Sequence, residues 1–262
     1  MIHVPTAPWA HTVFDLLAWS SGGAVGYTLY RWRLRDELTQ LAAKSGPGYF
    51  GCLAIGVAIG AWASGSLNTM RQASPALSHS IVGALAGAIV GVEIYKAIKG
   101  IRGSTGGVFV GSFATGAVIG RWGCFFAGLP DRTYGLPTTL PWGVDLGDGV
   151  ARHPVQIYES LAMAVFLGLY LIGLARRSPW AMRRGFYALC VWYGAQRFAW
   201  EFLKPYPTVV GPFNVFHLLC AGLVVYGALY YLRDLADERT RRAAGGPEGR
   251  ALPVPRPDHQ PL

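Results

Sequence analysis

Arg197 and Glu201 lie four residues apart in the stretch YGAQRFAWEFL, where most other side chains are apolar. On a helix that spacing puts both side chains on one face, one turn apart, with Tyr193 a turn earlier. A second guanidinium, Arg121, sits in the equally oily GRWGCFFAG. Guanidinium binds phosphate through paired N–H donors, so two of them sharing an apolar cavity would form an anion clamp. RHPVQIYES supplies His153, Gln156, Tyr158 and Glu159, and His79 and His217 open two further apolar runs. The competing reading is an Arg197–Glu201 ion pair that serves folding alone.

The elements that must position these groups are membrane helices. Hydrophobic residues make up 52% of the chain and charged residues 14%, with a mean hydropathy of +0.31. Soluble proteins carry about 25% charge. Apolar runs of spanning length predict an all-α, polytopic membrane protein with seven transmembrane helices, at 14–30, 49–67, 80–98, 106–126, 155–175, 186–203 and 215–232. The second to fourth are rich enough in glycine to be kinked or short. Residues 1–232 form the membrane domain, with an extracytoplasmic loop at about 127–154. Residues 233–262, rich in Pro, Gly and Arg, are expected to form a disordered cytoplasmic tail. The opening MIHVPTAPWAHTV has no Lys or Arg before its first apolar run, which argues against a cleaved leader.

Basic residues set the direction. Arg31, Arg33, Arg35 and Lys44, then Lys96, Lys99 and Arg102, then Arg176, Arg177, Arg183 and Arg184, all fall on one side with the arginines of the tail. The other side carries Arg71, Arg132, Arg152 and Lys204. The N-terminus is therefore predicted outside and the C-terminus in the cytoplasm. The net charge of +9 follows from this topology and from anionic inner-leaflet lipid, not from nucleic acid. With that direction, Arg121, Arg197, Glu201, Glu159 and the histidines gather at one depth, on the outer side. A charge at a helix centre costs roughly 2.5–3.5 kcal/mol, so these groups must be paired or face a polar cavity. Glu93, toward the cytoplasmic end of its span, is expected to snorkel.

The long loop GLPDRTYGLPTTLPWGVDLGDGVARHP reads as an ordered interfacial lid, its three aspartates Asp131, Asp145 and Asp148 solvated. The four cysteines show no disulfide or metal-ligand spacing and read as small packing residues. No phosphate-binding loop, dinucleotide fingerprint, nucleophile elbow or metal pattern occurs.

Four stretches together resemble the bacterial prolipoprotein diacylglyceryl transferase family. They are GRWGCFFAG, YGLPTTLPWGVD, RHPVQIYES and YGAQRFAWEFLKP, in the family's order. The resemblance implies transfer of a diacylglyceryl group from phosphatidylglycerol to the lipobox cysteine of a preprolipoprotein, presented by its signal peptide. The reaction would occur at the bacterial plasma membrane, without metal or organic cofactor. It implies catalytic roles for Arg121, Arg197, Glu201 and His79, and substrate binding by Arg121, Gly135, His153, Tyr158, Glu159 and Arg197. Arg121 and Arg197 would hold the lipid phosphate as it departs from carbon, Glu201 would orient Arg197, and Gly135 would let backbone approach the headgroup. The chain departs from the family in several places. SHSIVGAL replaces a His-Gly-Gly segment and displaces His79 by two or three residues. Cys124 replaces an asparagine, Ser20 and Ser21 stand where a tyrosine is expected, and Asp131 is a candidate stand-in for a glutamate. Two arginines could lower an acceptor thiol's pKa without a dedicated base. The alternatives are a sister transferase with another acceptor, or a non-catalytic lipid- or lipoprotein-binding membrane protein.

Overall fold

The computed structural model describes residues 2–70 and 77–243. The chain is mostly helical. Helix α1 spans Trp9–Leu29 and runs through a π turn, Tyr30–Leu34, into α2, Arg35–Lys44. The hairpin α3 (Pro47–Thr69) and α4 (Ile81–Lys99) follows, then α5 (Val110–Ala127), α6 (Val155–Ala175), α7 (Pro179–Glu201) and α8 (Val215–Ala243). Five segments are long and apolar enough to cross a membrane: Pro47–Thr69, Ile81–Lys99, Gly107–Ala127, Val155–Ala175 and Val215–Ala243. The other two expected spans, on α1 and α7, are 21 and 23 residues long and less apolar.

Glycine acts at contacts between helices. Helices α3 and α4 run unbroken where kinks or short spans were expected. Gly56 and Gly60 face Gly83 and Gly87 so closely that a methyl group on any of the four would run into the opposite backbone. This is the small-residue packing that lets membrane helices approach. The hairpin packs chiefly on itself and reaches the remaining helices mainly through α8, while α1 lies along α5 and the chain then steps from α5 to α6, α7 and α8. A cavity of about 980 Å³ lies between the hairpin and the α1–α5 pair.

The helical fold class holds, with one small addition and two corrections. Ile2–His3, Val144–Asp145 and Ala151–Arg152 form a small sheet, β1 parallel to β2 and β2 antiparallel to β3. It ties the N-terminal segment to the 128–154 loop. The helix expected to end near 232 continues to Ala243, because Arg184 of α7 is buried against Asp234, at 2.7 Å, and Glu238. The expected disorder of the tail from 244 on, and Arg71, lie outside the described residues. Glu93 does not snorkel: its Oε1 accepts hydrogen bonds from Lys96 Nζ (2.7 Å) and Tyr226 Oη (2.8 Å).

Candidate functional site

Arg121 comes from the last turns of α5, Glu159 from the first turn and a half of α6, and Arg197 and Glu201 from the end of α7. The two guanidiniums converge on one atom. Arg121 Nε lies 2.5 Å and Arg197 Nη1 2.6 Å from Glu159 Oε2. Arg197 Nη2 holds Glu201 Oε1 at 2.8 Å, the intrahelical pair read from the four-residue spacing. Lys204, just beyond α7, donates to Glu159 Oε1 at 2.6 Å and to Glu201 Oε1 at 3.2 Å. Asn214 Nδ2 donates to Glu201 Oε2 at 3.3 Å and carries the network to α8, where its Oδ1 accepts from the His217 backbone N–H. All five ionic side chains are at most a tenth exposed.

Three cations face two carboxylates, so one positive charge remains inside an apolar wall. Arg197 Nε and the Tyr193 hydroxyl are buried with no hydrogen-bond partner among the described residues. Buried donors of this kind are ordinarily paired, with protein or with ordered water. Arg121 and Arg197 both border the cavity, whose remaining walls are mainly apolar side chains such as Val57, Leu85, Ile89, Phe113 and Ala117. The site can therefore hold a further anion at the charged end of an oily chamber.

The other sequence candidates separate into two groups. Gly135, His153 and Tyr158 lie on the lid side and do not line the cavity. The Tyr158 hydroxyl accepts from Trp142 Nε1 at 2.8 Å and lies 3.5 Å from His153 Nδ1. A side chain on Gly135 would strike the His153 carbonyl oxygen, so this glycine serves lid packing. Glu159, expected to meet substrate, is the shared counter-ion of the arginines and Lys204. His79 precedes α4 and sits at the cavity mouth, its ring stacked on His11 with centroids 6.4 Å apart. Sequence reasoning missed His11, and counted Lys204 only as a loop charge although it stands three residues after Glu201.

The aspartates are not solvated as a group. Asp131 is nearly buried and accepts from Thr133 Oγ1. Asp145 Oδ1 accepts from the backbone N–H groups of Gly147, Asp148 and Gly149 at 2.9, 3.1 and 2.9 Å, and its Oδ2 lies 2.9 Å from His3 Nδ1. The Gly147 N–H first, and the other donors with it, hold the Asp145 carboxyl below its usual range despite desolvation. A hydrogen bond from Arg152 does the same for Asp148.

Residues 17–233 match the sequence family described as prolipoprotein diacylglyceryl transferase. Curated relatives with the name phosphatidylglycerol–prolipoprotein diacylglyceryl transferase include one from Finegoldia magna, 32% identical over 48% of this chain and 49% of the relative. Another, from Nitratidesulfovibrio vulgaris, is 33% identical over 60% and 62%. A third, from Bacillus cytotoxicus, is 30% identical over 58% and 59%. The aligned part thus spans about half to three-fifths of the length of these relatives. No solved structure matches the chain. With most of its length inside the family match, its multi-pass apolar helices and its buried arginine pair, the chain belongs to the prolipoprotein diacylglyceryl transferase family.

Proposed function

We propose that the protein transfers a diacylglyceryl group from phosphatidylglycerol to the lipobox cysteine thiol of a preprolipoprotein. The observation that carries this reading is the convergence of Arg121 and Arg197 on one point at the edge of the large apolar cavity. The cavity would take the donor's acyl chains and the guanidiniums its phosphate. The acceptor sulfur attacks the glycerol carbon, the C–S bond forms and the carbon–oxygen bond to phosphate breaks. Glycerol phosphate leaves with the electron pair, and the thiol proton passes to the phosphate or to water. Arg121 and Arg197 stabilise the charge that grows on the leaving phosphate. Glu159 holds both guanidiniums, Glu201 holds Arg197, and Lys204 fixes the two carboxylates, while His79 stands at the mouth where an acceptor would enter.

In this reading seven helices span the bacterial plasma membrane, with the N-terminus outside and the C-terminus in the cytoplasm. The clamp and lid then lie at the outer leaflet, where a translocated signal peptide can reach them. Donor, acceptor peptide and bilayer are the partners; the clamp needs no metal to bind phosphate.

The test is reconstitution in vesicles of phosphatidylglycerol with a lipobox peptide. The expected result is a mass increase of one diacylglycerol on the peptide, lost in Arg121→Ala and in Arg197→Ala. Survival of transfer in either variant would falsify the clamp. Retained phosphatidylglycerol with no transfer would favour a lipid-binding protein, and transfer to a different thiol peptide would favour a sister enzyme.

A further inference from the structure

Beside the clamp, three chemically different side chains from three elements meet at one point. His11 comes from the first turn of α1, Cys124 from the end of α5, and Asp131 from the short 3₁₀ turn Leu129–Asp131 that follows it. His11 Nε2 is 3.7 Å from Cys124 Sγ and 3.6 Å from Asp131 Oδ1, and the three ligating atoms all lie within 4.8 Å of one another. A separation of 3.6 Å is too long for a direct imidazole–carboxylate hydrogen bond. It agrees instead with the edge of a tetrahedron around an ion about 2.0–2.3 Å from each ligand.

We propose that His11, Cys124 and Asp131 form a binding site for a divalent transition metal of the zinc class. One nitrogen, one sulfur and one oxygen suit a borderline-soft ion better than magnesium or calcium. Thr133 Oγ1 donates to Asp131 Oδ2, which occupies the oxygen turned from His11 and leaves Oδ1 for the ion, as an outer-shell partner does. The charges balance, since a thiolate and a carboxylate neutralise a dication. The neighbouring charges act both ways. Arg121 Nη1 lies 3.8 Å from Cys124 Sγ and opposes the ion, while Asp15 Oδ1, 3.9 Å from His11 Nε2, favours it.

His11, Asp15, Cys124 and Asp131 all border the cavity. A three-ligand site with a fourth position open to a chamber is the arrangement of reactive metal centres, whereas structural ones are closed. That position would accept a soft donor such as a substrate thiol. This last step rests on the proposed transfer reaction; metal binding itself does not.

The full-length protein, purified in detergent and stripped with a chelator, would be titrated with Co²⁺ alone and then with Zn²⁺ in competition. The expected result is one equivalent bound, with visible bands of tetrahedral cobalt and a near-ultraviolet thiolate-to-cobalt band, all erased by Zn²⁺. Cys124→Ser should remove the thiolate band, and His11→Ala should weaken binding tenfold or more. Thr133→Val, which leaves all three ligands in place, should weaken it about 10–100-fold. Absence of any cobalt spectrum in the wild-type protein overturns the inference, and so does a thiolate band that persists in Cys124→Ser. Stoichiometric binding in a protein that transfers no diacylglycerol would leave the metal site standing and sink the transfer reading.

Discussion

Between α3 and α4 the contact is backbone against backbone, with Gly60 meeting the Gly83 carbonyl and Gly87 meeting that of Gly56. Between α5, α6 and α7 it is charge against charge, with Glu159 fixed by Arg121, Arg197 and Lys204. Both devices hold helices where water is scarce and the hydrophobic effect gives helices little reason to associate. They differ in what they demand. The hairpin needs only small residues and leaves the cavity between itself and α1–α5 unfilled. The charged block needs both of its carboxylates, because losing either adds to the positive charge left buried without a counter-ion. The first device is local and adjustable; the second is collective, and it is the one that carries the candidate chemistry.

Breaking the charged block should have the largest effect. Glu159→Ala leaves Arg121 without its counter-ion and Arg197 and Lys204 sharing Glu201, and should destabilise the protein by about 3–5 kcal/mol. Thermal unfolding in detergent measures this, and an unchanged midpoint would show that Glu159 is not the hub. Gly135→Ala disturbs the lid against His153 without touching the block. It should slow transfer by up to about 100-fold, the scale on which a 1 Å misplacement acts, and lower the unfolding midpoint by the roughly 1–3 kcal/mol of an overpacked contact.

The hairpin comes next. Gly60→Leu or Gly87→Leu should cost about 1–3 kcal/mol through overpacking. Gly168→Ala on α6, where an added methyl meets nothing within 4 Å, should leave the midpoint within experimental scatter. Equal losses in both would remove the distinction between the two devices. The smallest effect belongs to the lid aspartates. Because the folded Asp145 carboxyl titrates below its ordinary value, its contribution is fully present above about pH 3.9 and fades as pH falls through the folded value. Limited acid proteolysis should cut the 128–154 loop faster as pH drops in the wild type, and Asp145→Asn should weaken that dependence, leaving the part due to Asp148.

Much of the site was legible before any coordinates. The four-residue spacing of Arg197 and Glu201 gave their 2.8 Å pair, and the shared apolar setting of Arg121 pointed to a common pocket. What stayed hidden was whatever depended on distant partners. Nothing near RHPVQIYES reveals that Glu159 sits between two guanidiniums, one of them 38 residues further along. His11 drew no notice because its neighbour Cys124 lies 113 positions away. The start of α7 was placed at 186 because Arg183 and Arg184 resemble loop residues. Their element is helical from Pro179, and Arg184 finds its counter-charges on α8. Glycine was legible as composition and not as architecture, since a repeated small residue can bend a helix or seat a neighbour, and only the facing helix decides which.

The carboxylate lodged between the arginines also bears on how a catalytic cycle could end. An empty pair of guanidiniums would grip a departing phosphate product and let go slowly. With Glu159 already seated there, an incoming headgroup only borrows donors that the resident oxygen reclaims. Capture is thereby weakened and expulsion quickened, so an anion can turn over at this site without becoming trapped.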